Sequence, residues 1–328
     1  MQLSTFSPKS AITASSLLLL PMSLLASYTS AADSKRGVSI ISNLHLPDWS
    51  LIDKSAISWY WNWSPYPGSS SLVTNLTFVP QIHSLDDLEK NIAQAKSLPT
   101  TSTHLMTFNE PDGTTSSGGT TISAEDAAKA YIDSILPLRK ANGGQSLISH
   151  PATTGSSGGL NWLTDFNTSC YKHAPETGCP LDFVTAHWYG DFTGLQSWVT
   201  QLDDFYNDGT NASIPIWVSE LAIPKQDARA TVQMMNESLA YLDDSDLISS
   251  YAWFGMFRTS GSNEWTGENV ALFDKSGGLT QLGATYLNQE GNTVFKKGQK
   301  GTGGAGSLGV ERALGLTVFF GWLWMLIS

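Results

Sequence analysis

The chain has 328 residues, of which 18 are Lys or Arg and 29 are Asp or Glu, giving a formal net charge of −11. No basic stripe interrupts that balance, which excludes nucleic acid as an expected partner, since phosphate backbones are bound by clustered positive charge. The 12 Trp fit a neutral polymer instead, because sugar rings present apolar C–H faces that stack on aromatic planes.

At the start of the chain, Lys9, an apolar run over 11–26 and the small residues Ser30, Ala31 and Ala32 form the pattern of a secretory signal peptide, assigned to residues 1–32. The run contains Pro21 and falls short of the ~20 apolar residues of a membrane span. Eight apolar or aromatic stretches then read as buried strands, at 38–41, 57–63, 76–82, 104–108, 147–150, 183–188, 214–218 and 249–254. Helical spacing lies between several of them, over 85–98, 124–139, 195–205 and 228–242, with Ser123 and Asp126 resembling a capping box.

Strand then helix, repeated through one domain over 33–290, predicts an α/β fold of the (β/α)8 TIM barrel kind. A doubly wound open sheet is the alternative, although no Gly-rich phosphate loop follows an early strand. The stretch 270–273 is either an eighth strand or a hairpin added after the barrel.

Cys170 and Cys179 are an even pair, close enough to bridge a small loop, and one local disulfide is expected. Of the sequons, Asn75, Asn167, Asn211 and Asn236 are the expected N-glycosylation acceptors, while Asn62 sits in an aromatic strand. Residues 291–312 form a Gly-rich spacer, with an attachment residue expected within 301–306, and 313–328 a hydrophobic tail. Small residues, a short polar spacer with Glu311 and Arg312 and a terminal apolar run make a GPI-attachment signal, whose tail is expected to be removed, with a retained tail anchor as the alternative. The expected location is extracellular, at the cell surface or wall, with a lipid anchor in the plasma membrane. A monomer is expected.

Two glutamates carry the chemistry. Glu110 follows the fourth strand-like run and Glu220 the seventh, and the two stay three strands apart even if the first run is not a strand. Catalytic groups of such barrels gather at the C-terminal strand ends, and cleavage of a glycosidic bond uses two carboxylates. The six His show no ligand spacing, so neither metal nor cofactor is expected. A Gly-x-Ser-x-Gly string at 155–159 lies in a loop-like run of Thr, Ser and Gly and not at a sharp strand-to-helix turn, so a serine nucleophile is not expected there.

The segments Phe108-Asn109-Glu110-Pro111-Asp112, Trp59-Tyr60-Trp61-Asn62-Trp63, His187-Trp188-Tyr189, Trp217-Val218-Ser219-Glu220 and Trp253-Phe254 resemble the core of glycoside hydrolase family 128, the alkali-sensitive linkage type, from about residue 35 to 288. The resemblance implies a clan A (β/α)8 barrel acting on β-1,3-glucan. It makes Glu110 the general acid/base and Glu220 the nucleophile of a retaining mechanism, in which Glu110 holds a proton that Glu220 lacks.

Around that pair, Asn109 is expected to meet the sugar 2-hydroxyl. His187 and Tyr189, two apart on one strand face, are expected to position the nucleophile. Trp253 is expected to be the platform under the cleaved sugar, and Trp61 and Asn62 belong to a strand of the cleft. Gly would be expected in place of Thr107 and Phe in place of Leu221, and both departures could reshape the cleft. A glucan-binding surface protein without turnover, and a glucan transglycosylase, are the rival readings.

Overall fold

The computed structural model describes residues 34–41, 45–68, 76–140, 146–207, 213–288 and 294–302. The signal peptide, the tail over 313–328, Asn75 and Asn211 lie outside the described residues.

Strands that are apolar on both faces need helices on one side and a filled interior on the other. The strands are β1 (Arg36–Ser39), β2 (Trp59–Trp61), β3 (Thr77–Phe78), β4 (Gln81–Ile82), β5 (His104–Asn109), β6 (Leu147–Ala152), β7 (Phe183–Tyr189), β8 (Ile216–Ala222) and β9 (Ile248–Trp253). They form one nine-stranded curled sheet in the order β3-β2-β1-β9-β8-β7-β6-β5-β4, and every paired neighbour is parallel. This is an α/β fold with a curled, barrel-like parallel sheet.

The end strands β3 and β4 are consecutive in the chain and fall within the strand expected at 76–82. Between them Val79 donates to the Tyr60 carbonyl at 2.9 Å, and the Pro80 carbonyl accepts from Met106 N–H at 2.9 Å. Pro80 has no N–H of its own, which interrupts the ladder there.

The helices are α1 (Leu46–Ile52), α2 (Leu88–Lys96), α3 (Ala124–Ala130), α4 (Ser157–His173), α5 (Phe192–Tyr206), α6 (Ala228–Asp244) and α7 (Gln281–Leu287). Ser123 caps α3 as the sequence predicts, accepting from Asp126 N–H at 3.1 Å, and its hydroxyl donates to the Asp126 carboxylate at 2.6 Å in place of the backbone bond that completes a capping box. The helix expected to continue to 139 instead loosens into a π-turn over Tyr131–Ile135 and a 3-10 turn over Leu136–Lys140. Pro137 accounts for this, since it cannot donate to the Asp133 carbonyl one turn back.

The string at 155–159 needs correcting: it runs from the β6–α4 connection into the first turn of α4, a strand-to-helix junction, and Ser156 is the cap of α4, accepting from Gly159 N–H at 3.2 Å. Residues 270–273 are not a sheet strand either. Phe273 makes single bridges to Arg258 and Leu279 within the long rim segment between β9 and α7.

Inside the sheet, Trp59, Trp61, Val79, Met106, Phe183, Trp217 and Ala252 pack together, with Trp63 against them. The outward face, represented by Val38, Tyr60, Val184, Val218 and Leu221, packs on the helices. The expected disulfide is formed between Cys170 and Cys179. Among the described residues no helix is long and apolar enough to cross a membrane.

The last described segment, 294–302, turns back along the molecule. Phe295 is buried, Gly298 N–H donates to the Leu279 carbonyl at 2.7 Å, and Leu279 N–H donates to Gln299 at 2.9 Å. A Cβ at Gly301 would come within 1.6 Å of the Pro47 carbonyl, so only glycine fits against the first turn of α1. That turn follows β1, so the segment finishes at the end of the sheet where the strands' C termini lie.

Candidate active site

Glu110 leaves β5 with its backbone in the left-handed region, φ 40. A clamp imposes that conformation: Glu110 N–H donates to the Ala152 carbonyl at 2.7 Å, and its own carbonyl accepts from Gly113 N–H at 2.9 Å and Thr120 N–H at 3.1 Å. Gly119 closes the clamp, since a Cβ there would lie 2.5 Å from Gly113 C and 2.8 Å from Glu110 O. Non-glycine residues held this way need such surroundings, and they concentrate at functional sites.

Glu220 reaches the same place by a β-bulge. Val218 pairs with Ala186 and with Tyr251, yet the next partners are His187 with Glu220 on one side and Trp253 with Leu221 on the other. Ser219 is therefore an extra residue relative to both neighbouring strands. Strict alternation would put Glu220 on the helix-facing side with Val218, and the bulge turns it inward instead.

His187, from β7, stands between the two carboxylates. Its Nδ1 is 2.9 Å from Glu110 Oε1, and its Nε2 is 3.4 Å from Glu220 Oε1. Glu220 Oε1 also accepts from the Trp63 indole N–H at 2.7 Å, and Oε2 accepts from the Tyr189 hydroxyl at 2.5 Å. One donor atom from each of Glu110, His187 and Glu220 lies within 4.8 Å of the others, a grouping that could also hold a cation.

All three side chains are nearly enclosed, which strengthens every charge interaction among them. Burial pushes the Glu220 carboxyl above its ordinary range; the His187 charge opposes this, the Glu110 charge adds to it, and the Tyr189 and Trp63 donors oppose it again. Burial alone would lower His187, but the Glu220 and Glu110 charges outweigh it and leave the imidazole raised. Burial and then the Glu220 charge hold the Tyr189 phenol well above its ordinary value, so it remains a neutral donor.

The sequence-predicted residues divide. Glu110, Glu220, His187 and Tyr189 come together. Asn109 joins them at the end of β5, its amide donating to the Gly118 carbonyl at 3.1 Å while its Oδ1 is buried without a protein partner. Trp253 does not fit its expected role: it is 1% exposed, and its N–H is bonded to the Val270 carbonyl at 2.9 Å. The rim segment covers it and leaves no open face for a sugar.

Trp61 is equally enclosed and lies behind the site, its ring 4.6 Å from Trp63. Asn62 falls on the opposite face with Tyr60, donating to the Tyr66 carbonyl at 2.7 Å, and is not part of the cluster. Thr107 is buried and donates to the Ser149 carbonyl at 2.9 Å. Leu221 packs outward among the helices, so its departure from the family pattern does not reshape the site. Asn167 and Asn236 are exposed on α4 and α6.

Three neighbours escape the sequence reading. Trp63 has φ 58, which turns its indole back toward Glu220. His83, just past β4, has its pKa lowered chiefly by burial, with the Asp86 and Glu110 charges opposing; a His directly after a strand end on the rim of Glu110 is the signal that could have found it. Phe254 packs against both Trp63 and Tyr189, with ring centroids 5.9 and 5.8 Å away.

The family comparison matches residues 38–286 to the glycosyl hydrolase catalytic core. Alkali-sensitive linkage protein 1 of Schizosaccharomyces pombe is 32% identical over 268 residues, covering 79% of this chain and 45% of that protein, so the chain spans about half the length of its curated relative. Among solved structures, a family 128 subgroup VI exo-β-1,3-glucanase from Aureobasidium namibiae aligns with a TM-score of 0.63 at 21% identity, over 81% of this chain and all of the other. A subgroup VII oligosaccharide-binding protein from Cryptococcus neoformans aligns at 0.60 and 21% identity, over 79% of this chain and 95% of the other. The match over most of the chain and the relative at 32% identity meet in one assignment: the chain belongs to the glycosyl hydrolase catalytic core family, in agreement with its resemblance to glycoside hydrolase family 128.

Proposed function

We propose that the chain is an exported β-1,3-glucan hydrolase that retains anomeric configuration, with Glu220 as nucleophile and Glu110 as general acid and base. The carboxylate pair carries this reading. One oxygen of each glutamate lies within 4.8 Å of the other, which favours a retaining enzyme, with carboxyl groups about 5–5.5 Å apart, over an inverting one at about 6.5–9.5 Å. Glu220 attacks the anomeric carbon while Glu110 gives its proton to the departing glycosidic oxygen. Water then attacks the same carbon, Glu110 takes the water's proton, and the bond to Glu220 breaks.

The other side chains fit these steps. Donors from Trp63 and Tyr189 occupy both oxygens of Glu220 and so favour its ionised form. The unpartnered Oδ1 of Asn109 can accept from the sugar 2-hydroxyl. The run of pairings from β3 round to β4, two strands separated only by Val79 and Pro80, supports a closed (β/α)8 barrel. The patterns at the two ends of the sequence support export and a lipid anchor at the cell surface or wall, where β-glucan would be the substrate within reach. The Cys170–Cys179 bridge agrees with an oxidising destination.

The oligosaccharide-binding neighbour favours a second reading, binding without turnover. Incubation with a linear β-1,3-glucan, followed by product length and anomeric NMR, separates the two. Release of the β-anomer first, abolished by Glu220→Gln, supports the retaining hydrolase. The α-anomer first would overturn the nucleophile assignment, tight binding without new reducing ends would leave the binding protein, and products longer than the substrate would mark a transglycosylase.

A further inference from the structure

The aromatic rings around Glu220 continue outward beyond the buried site. Trp265, on the rim segment between β9 and α7, is 53% exposed, the one exposed Trp among the described residues. Its ring stands 4.5 Å from that of Tyr189, at an interplanar angle of 62°. Tyr189 in turn donates to Glu220 Oε2 at 2.5 Å. A single side chain therefore separates an indole half open to solvent from the carboxylate proposed to attack the sugar.

The segment that carries that indole is also held in place. Asn263 Oδ1 accepts from both the N–H and the hydroxyl of Thr266, at 2.7 and 2.9 Å. The Thr266 carbonyl accepts from Lys225 N–H at 3.0 Å, and Asn269 donates to the Gln226 carbonyl at 2.8 Å. Lys225 and Gln226 follow β8, so the segment bearing Trp265 is docked on the chain leaving the strand of Glu220. A large aromatic carried on a docked segment and half exposed beside a carboxylate cluster is suited to an apolar ring face that arrives with polar edges, and a pyranose is such a group.

We infer that Trp265 is the stacking wall of a glucosyl subsite next to the attacked residue, on the Glu220 side of the site, and that it sets how firmly longer β-1,3-glucan chains are held. This inference rests on the proposed β-1,3-glucanase reading. It makes Trp265 a specificity residue that touches substrate without taking part in proton transfer or attack.

The test is steady-state kinetics of Trp265→Ala on a length series of β-1,3-gluco-oligosaccharides, with binding of the longest measured in the Glu220→Gln background. Trp265→Ala is expected to raise KM for long substrates by about three- to tenfold, the worth of one aromatic stacking contact, while kcat holds. The shortest cleaved substrate should be affected least. Asn263→Ala, which keeps the ring but frees its loop, should fall between the two. Tyr171→Ala, removing an exposed ring on α4, should match the parent.

If the parent cleaves β-1,3-glucan and Trp265→Ala binds the longest oligosaccharide as tightly as the parent does, the inference is overturned and the functional reading stands. An equal loss on every length, or a loss in kcat alone, also overturns it. If the parent neither cleaves β-1,3-glucan nor binds it as Glu220→Gln, the functional reading falls and the inference with it.

Discussion

Trp63 donates its indole N–H to Glu220 Oε1 at 2.7 Å from a left-handed backbone, φ 58. A hydrogen bond to a charged group is worth about 1.5–3 kcal/mol, so Trp63→Phe is expected to lower kcat by about ten- to a hundredfold. The donor also pulls the raised Glu220 carboxyl down. Its loss should therefore move the acid limb of the pH–rate profile to higher pH. An unchanged limb would remove Trp63 from the electrostatics of the nucleophile.

Azide separates the roles of the two glutamates. Glu220→Ala lacks the group that forms the glycosyl-enzyme, so azide should attack the substrate directly and yield the α-glycosyl azide. Glu110→Ala still forms the intermediate from a substrate with a good leaving group, so azide should yield the β-product. Loss of the acid/base is expected to cost about 10²–10⁴ in rate on unactivated glucan. NMR of the azide products decides the assignment, and exchanged outcomes would reverse it.

His150 makes stability depend on pH well away from the catalytic pair. Its Nε2 is 2.8 Å from the Cys179 carbonyl, and burial lowers its pKa from 6.5 to about 4. Between those values the unfolded chain binds a proton that the folded chain does not, so stability rises with pH across the window and is lost as pH falls from 6.5 toward 4. The size is roughly 3 kcal/mol. Urea unfolding at several pH values should show a shallower slope for His150→Gln than for the parent.

The disulfide closes a short loop, with a sequence separation of 9. Replacing Cys170 and Cys179 by Ser is expected to lower unfolding free energy by about 2–3 kcal/mol, the loop-closure entropy returned to the unfolded chain. The bridge joins the last turn of α4 to the chain leading into β7, at the end of the sheet opposite the glutamates. Activity of the folded variant should match the parent, as measured by kcat at a temperature well below its midpoint.

Glu110 and Glu220 are legible in the sequence because each belongs to a short motif beside an apolar run, and the strand–helix alternation puts both runs in one sheet. How Glu220 comes to face inward is not legible, since counting by twos along 216–222 places it with Val218. The bulge becomes visible only when β7 and β9 are paired on either side.

Trp63 is missed for a similar reason: its contact depends on a positive φ that alternation does not reveal. Trp253 is misread because the rim segment that follows β9 folds back and brings the Val270 carbonyl onto its indole N–H. Helix α4 is hidden by Gly158 and Gly159, which lower helix propensity at a start that the Ser156 cap supports.

The return of residues 294–302 also gives the molecule a mechanical order. A pull on the chain at Thr302 would load the Gly278–Lys300 bridge and the Leu279 hydrogen bonds before it reached α7 or any strand. Those contacts fasten the foot of the rim segment that bears Trp265. Tension from outside would thus slacken the entrance first and leave the floor holding Glu110 and Glu220 as the last part to feel the load.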